Sequence, residues 1–236
     1  MMNKIIVDTD EKTQEINEDL HLEIVKSGTI NLKIVSSNNI KLLIRVLDSH
    51  TKINLELFDD SNIVINSLGI NSSISYDINI KDNTNLLIVD SIISNTDSIN
   101  NIDIHDEGSD NNIEIYTNGI NLENKKLYFN LNGIVSASST NTNLSENSKV
   151  INVSDGDSKI IPNLIIDTKE VIASHSAYIG AFSNEDLYYL ESRGISLKYA
   201  KKLLIKSILL SKMTIEKEMI TREVSEFIGI GGDVDE

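Results

Sequence analysis

Cysteine is absent from all 236 residues. That excludes disulfides, thiolate nucleophiles, zinc fingers and any iron–sulfur cluster held by this chain's thiolates alone. Tryptophan is also absent and aromatics reach only 5%, so a core must be built from Ile, Leu and Val. Basic residues are scarce, 21 Lys and Arg against 36 Asp and Glu, for a net charge of −15. The clustered positive charge that nucleic acids and anionic membranes attract is missing. No apolar run approaches the roughly 20 residues of a bilayer span. The N-terminus, Met1 to Asp8, has no apolar signal core. A cytoplasmic protein without nucleic-acid or membrane partners is the expectation. There is no G-x-x-x-x-G-K-[ST] phosphate loop; Gly229-x-Gly231-Gly232 lies in an acidic tail with no helix after it. ATP hydrolysis by this chain is therefore not expected.

What is present is a long series of short alternations over residues 20–131. Leu20, Leu22 and Ile24 form one burst; Ile30, Leu32 and Ile34 another; Ile40, Leu42, Ile44 and Val46 a third. The series continues through Ile74, Tyr76, Ile78 and Ile80 to Leu127, Phe129 and Leu131. Period two over three to five residues is a strand with one buried face. Turn formers separate the bursts, as at residues 36–39, 59–62, 94–97 and 106–110. Strand starts recur every ten to thirteen residues, the spacing of a sandwich, a barrel or a solenoid. The near-uniform aliphatic inward row and the Asn-rich corners favour a parallel β-helix of about 20 residues per coil. Two-residue hairpin turns are lacking; Asn118-Gly119 and Asn132-Gly133 come nearest and could each close a hairpin. A sandwich is the fallback.

Residues 136–157 are polar and read as a loop or long turn. Strand character resumes at Val150, Leu164 and Val171, with Pro162, the single proline, expected at a strand start where its missing N–H costs nothing. After Gly180 the period becomes helical. Ser183 followed by Glu185 and Asp186 is a near capping box. Gly194 ends that helix, and Ser196 caps a second from Leu197 to about Met213. A third helix spans roughly residues 214–228. The division expected is a β-helix core over 1–180 and a helical domain over 181–236. The helices are too apolar to stand free, and are expected to cover the end of the rod or another protein.

Residues 162–210 carry a resemblance. Pro162-x-Leu164-x-Ile166, Val171-x-Ala173-Ser174-His175-x-Ala177-x-x-Gly180, Leu187-x-Tyr189-Leu190-x-Ser192-Arg193-Gly194-Ile195-Ser196 and Ala200-x-x-Leu203 resemble the SufB/SufD family of iron–sulfur cluster assembly proteins, most of all its SufD branch. The resemblance implies a right-handed parallel β-helix followed by a C-terminal helical domain. It implies a non-enzymatic scaffold subunit working with the ABC-type ATPase SufC, which docks on the C-terminal helices. It also implies pairing with another β-helix subunit, SufB-like or identical, with a nascent cluster forming between them. On this chain the ATPase contact falls on Tyr189, Leu190, Arg193, Gly194, Ile195, Ser196 and Leu203.

Three departures locate the chain within that resemblance. The cysteine of SufB-type sequences would fall near Gly156, and none is present. Ser176 follows His175 where SufB-type sequences carry Glu. Strands begin by about residue 20, without the family's N-terminal helical domain, which implies a short form. No stably bound cofactor is expected. His175 is the candidate metal ligand, shared with thiolates of a partner, for an iron–sulfur cluster held transiently at the subunit interface. Alternatively its ring serves only to hydrogen-bond backbone at a coil corner. His21, His50 and His105 are expected at the surface, and Arg193 is as well placed to cap a helix C-terminus as to meet a partner. A competing function is a partner-independent β-helix enzyme or carbohydrate-binding protein, which the scarcity of sugar-stacking aromatics disfavours.

Overall fold

The inward rows predicted from the alternation line a lumen. The computed structural model describes residues 2–35 and 39–229; the first residues of the turn expected at 36–39 and the acidic tail after Gly229 lie outside them. Fifteen strands, β1 (Asn3–Val7) to β15 (Val171–Gly180), alternate between two parallel sheets, and three helices follow. Odd-numbered strands form an eight-stranded sheet and even-numbered ones a seven-stranded sheet, each strand pairing with the next but one in chain order. Each pair of strands is one coil of a parallel β-helix.

Register explains the aliphatic bias. Ile40 pairs with Ile63, Ile63 with Leu86, and Leu86 with Ile113, so like side chains stack along the rod. Ile63, Ile65, Leu86, Ile88, Ile113 and Ile115 are fully buried there. The first coil is short, pairing Asn3 with Leu20, but the later repeat is longer than the 20 residues expected. Stacked partners lie 23 and then as many as 31 positions apart, as the side-chain bonds Asn62–Asn39 and Asn143–Asn112 mark. Eight rungs at about 4.8 Å give a rod of about 34 Å.

Asparagine holds the corners in two ways. Asp60, Asn83, Asp110 and Asn141 all have positive φ between 53° and 60°, the left-handed conformation that Asn and Asp tolerate best. At the neighbouring strand starts the Asn62, Asn85, Asn112 and Asn143 amides donate to Asn39, Asn62, Asn85 and Asn112 at 2.7, 3.4, 3.0 and 2.9 Å. These ladders tie each coil to the next along a solvent-exposed corner.

Several expectations are corrected. β1 and β2 (Glu11–Ile16) start well before residue 20; they form the exposed end of the rod and need few aliphatics. Residues 136–157 are not a loop: β13 (Thr142–Asn152) runs through them with a buried inward row. Pro162 lies inside β14 (Asp157–Ile166), not at its start. That strand ends its sheet, so one edge has no ladder to break. Neither Asn-Gly pair closes a hairpin. Gly119 and Gly133 face the lumen inside β11 (Asn112–Asn121) and β12 (Lys126–Val135), and a Cβ on Gly119 would lie 2.8 Å from Phe129.

The helices pack along the flank of the rod rather than over its end. The outward row Leu43, Leu68, Val89, Ile93, Ile120 and Ile151 joins Ile205, Leu209, Met213, Ile220 and Val224 in a second core. Polar anchors lock this contact. The Asn66 side-chain oxygen accepts the backbone N–H of Thr214 and of Ile215, both at 2.8 Å. The Ser91 hydroxyl donates to the Leu209 carbonyl at 2.7 Å. Arg45 forks onto Glu223 of the last helix while pairing with Glu23. α2 (Leu197–Leu209) and α3 (Lys217–Phe227) thus belong to the rod's flank. Among the described residues no helix is long and apolar enough to cross a membrane.

Candidate functional site

The last coil leaves the rod open. β14 and β15 each end a sheet, so their lumen-side residues cover the coil below and nothing described covers them. His175 pairs with Glu146 across β13 and β15. Its neighbours fix its direction: the Ser176 hydroxyl donates to Asn147 at 2.8 Å, and Lys149 lies over the Tyr178 ring at 5.6 Å. Both contacts are on the outer face, because Glu146 and Ser148 between and beside those partners are buried inward. Alternation then turns His175 toward the lumen side, at its mouth. It is exposed, and no backbone partner holds its ring. Around it the edge strands expose Ile165, Ile172, Tyr178 and Ile179.

The column beneath His175 changes character. Leu20, Leu42, Ile65, Ile88 and Ile115 stack rung on rung; the next rung is Glu146 and the last His175. Glu146 is 1% exposed, and neither carboxylate oxygen has a hydrogen-bond partner. Burial alone pushes its carboxyl up to about 7. Gly133 makes the room: a Cβ there would lie 3.1 Å from the Glu146 Oε1. The adjacent inward hydroxyls are engaged with each other, Thr117 donating to Ser148 at 2.7 Å. Deeper in the rod, Asp90 is also buried but satisfied, accepting from Ser67 at 2.6 Å and Asn100 at 3.0 Å. Its carboxyl is pushed up to about 6 by burial.

The second surface lies after Gly180. Ser183 caps α1 (Asn184–Ser192), accepting from the Asp186 N–H. Gly194, with φ +85°, turns the chain at its end, and the Ile195 N–H reaches back to Leu190 O at 3.2 Å. Ser196 caps α2 by accepting from the Tyr199 N–H. No residue of α1 is buried, because its main packing partner is α2 rather than the rod. Tyr188 and Tyr189 are 74% and 58% exposed, with Leu197 and Tyr199 exposed beside them. The Arg193 guanidinium lies over the Tyr189 ring at 5.3 Å, while its backbone N–H, not its side chain, caps the helix end. The structure thus gathers Tyr189, Leu190, Arg193, Gly194, Ile195 and Ser196 into one elbow. Leu203 is half-buried further along α2.

The other histidines divide. His50 is exposed and His105 lies 3.4 Å from Asp77 at the surface. His21 is buried, contrary to expectation; α3 and its preceding turn cover the outer face where it lies, and burial with nearby Arg45 and Lys4 lowers its pKa. Glu146 escaped notice because it fell within the supposed loop; the alternation Leu144, Glu146, Ser148, Val150 was its signal. Among the described residues no group of three or more His, Cys, Asp and Glu is arranged to hold a metal ion.

Comparison with known proteins follows this geometry. The family model described as SUF system FeS cluster assembly, SufBD core domain, matches residues 77–208, more than half of the chain and including the open coil and the elbow. An iron–sulfur cluster assembly SufBD family protein of Mycobacterium leprae is 39% identical over 59 residues, 23% of this chain and 15% of that protein. Counterparts of Mycobacterium bovis and Mycobacterium tuberculosis are each 35% identical over 75 residues, 31% of this chain and 19% of theirs. The matched stretches therefore span less than a fifth of the length of these curated relatives. The two-sheet parallel coil and the matched core together place the chain in the SufBD family, whose core domain is described as that of SUF-system iron–sulfur cluster assembly.

Proposed function

We propose that this chain is a non-catalytic, SufD-like scaffold subunit that binds an ABC-type ATPase of the SufC kind. Residues 181–236 form the ATPase-facing region and residues 1–180 the β-helix that pairs with a second β-helix subunit. The observation that carries this reading is α1: a capped helix that buries none of its residues yet exposes Tyr188 and Tyr189, with Leu197 and Tyr199 exposed in the first turn of the helix that follows. Aromatic side chains with an arginine stacked on one of them are what protein interfaces use as anchors. At the other surface, the open edges of β14 and β15 with Ile172, Tyr178 and Ile179 exposed suit a partner that continues the sheets. His175 would offer that interface a nitrogen ligand for a nascent cluster, the thiolates coming from the partner, because this chain has none.

The test is co-expression with the family's ATPase subunit. The two chains are expected to co-elute on a sizing column, and Tyr189→Ala with Arg193→Glu is expected to separate them without changing the circular dichroism of this chain. Separate elution of the unmodified chains would overturn the proposal.

A further inference from the structure

The aliphatic column of the lumen ends in two ionisable side chains, and only one has so far been given a task. Every lower rung, Leu20, Leu42, Ile65, Ile88 and Ile115, is apolar and buried. Glu146 continues that column at a place where Leu or Ile would pack without penalty. Burying a carboxylate without a hydrogen bond is costly, and both of its oxygens are unpartnered. The surroundings do not compensate. Leu144 and Leu164 flank Gly133, whose missing side chain leaves space beside the Glu146 Oε1. The hydroxyls of Thr117 and Ser148 are paired with each other. The carboxylate therefore lacks a positive or donating group, and its register neighbour on the last rung is His175, at the mouth of the rod.

We propose that Glu146 and His175 are two ligands of one divalent-cation site at the mouth of the lumen. The proposal deepens the scaffold reading, on which the role of His175 rests, by assigning the buried glutamate to the same site. Side chains paired in register on adjacent parallel strands start about 4.8 Å apart. That spacing lets an imidazole nitrogen and a carboxylate oxygen close on one ion at about 2.1 Å each by rotamer adjustment. One nitrogen and one oxygen donor suit a first-row divalent metal such as ferrous iron, and do not suit calcium or magnesium, which take oxygen ligands. Two protein ligands leave the remaining positions to water or to a docked subunit. An incoming ion would meet exposed His175 first and then the desolvated glutamate below it.

The experiment is an anaerobic titration of the full chain with Co2+, read by visible absorption and calorimetry. The unmodified chain is expected to bind one Co2+. Glu146→Gln, which keeps the shape of the side chain, is expected to weaken binding by about tenfold or more, and His175→Ala likewise. A Gly133→Ala chain, which crowds the carboxylate, is expected to weaken it too. Circular dichroism of each variant reports its fold, so weakened binding in folded Gly133→Ala keeps the test decisive if Glu146→Gln misfolds. The proposal is overturned if the unmodified chain takes up no Co2+, or if folded Glu146→Gln binds it as the unmodified chain does. Co-elution with the ATPase, measured on the same preparations, separates the two ideas. A complex that forms without Co2+ binding overturns the cation site alone, and Co2+ binding without a complex overturns the scaffold reading.

Discussion

Single buried residues set the pH response of this rod. Asp90 lies fully inside the lumen, hydrogen-bonded to Ser67 and Asn100. Burial raises its carboxyl from 3.8 to about 6. The folded chain therefore keeps the proton at a pH where the unfolded chain has lost it. The stabilisation from that proton is complete below the unfolded value of 3.8 and is lost as pH rises through about 6. Two pK units correspond to about 2 to 3 kcal/mol. Asp90→Asn cannot titrate, so its stability relative to the unmodified chain should rise by about that amount between pH 4 and pH 7.5. Urea unfolding of both proteins at the two pH values measures it. An offset that stays constant would mean that Asp90 ionises in the rod as freely as in water.

At the scale of elements, what the sequence showed depends on what each strand faces. Strands whose inward row is apolar, such as β8 (Ser73–Ile80) with Ile74, Tyr76, Ile78 and Ile80, were legible from alternation alone. β13 was hidden because Thr142, Glu146 and Ser148 occupy lumen positions that a polarity pattern assigns to solvent. His175 was singled out by its motif, whereas Glu146, its register partner, had only the faint alternation of Leu144, Glu146, Ser148 and Val150 to mark it. The seat of the helices was also written in the chain, as runs that break alternation: Leu42, Leu43 and Ile44, or Ile92 and Ile93, are buried on both faces of one strand. Without the partner face in view, such runs do not say what covers them. The anchor at that face is open to test. Asn66→Ala would leave the Thr214 and Ile215 N–H groups unpaired, at a cost of about 2 to 4 kcal/mol for two lost acceptor contacts. Amide exchange at those two positions should quicken and the urea midpoint should fall. Unchanged exchange would show that water or another carbonyl replaces the asparagine.

At the scale of the whole molecule, the two functional regions make one folding unit. The proposed ATPase-facing region begins after Gly180, and its α1 touches the rod little, yet α2 and α3 cover an apolar flank. Leu43, Leu68, Val89 and Ile120 are each fully buried because Ile205, Leu209, Ile220 and Val224 lie on that face. A chain ending at residue 182 would bare that row on a rod whose far strands already offer open edges, a combination that favours association. Such a fragment should form oligomers or precipitate, and should bind a hydrophobic dye, although its lumen is intact. Replacing outward Leu68, Val89 and Ile120 by Thr in the fragment keeps strand propensity while removing the apolar row, and should return it toward a monomer. Light scattering of the two fragments decides between this picture and its opposite. If the unmodified fragment is monomeric with native β circular dichroism, the helices are an independent module and the flank contact contributes little. If only the substituted fragment is monomeric, the helices proposed to face the ATPase also keep the β-helix from self-association, and a mutation loosening them would lower solubility as well as the proposed docking.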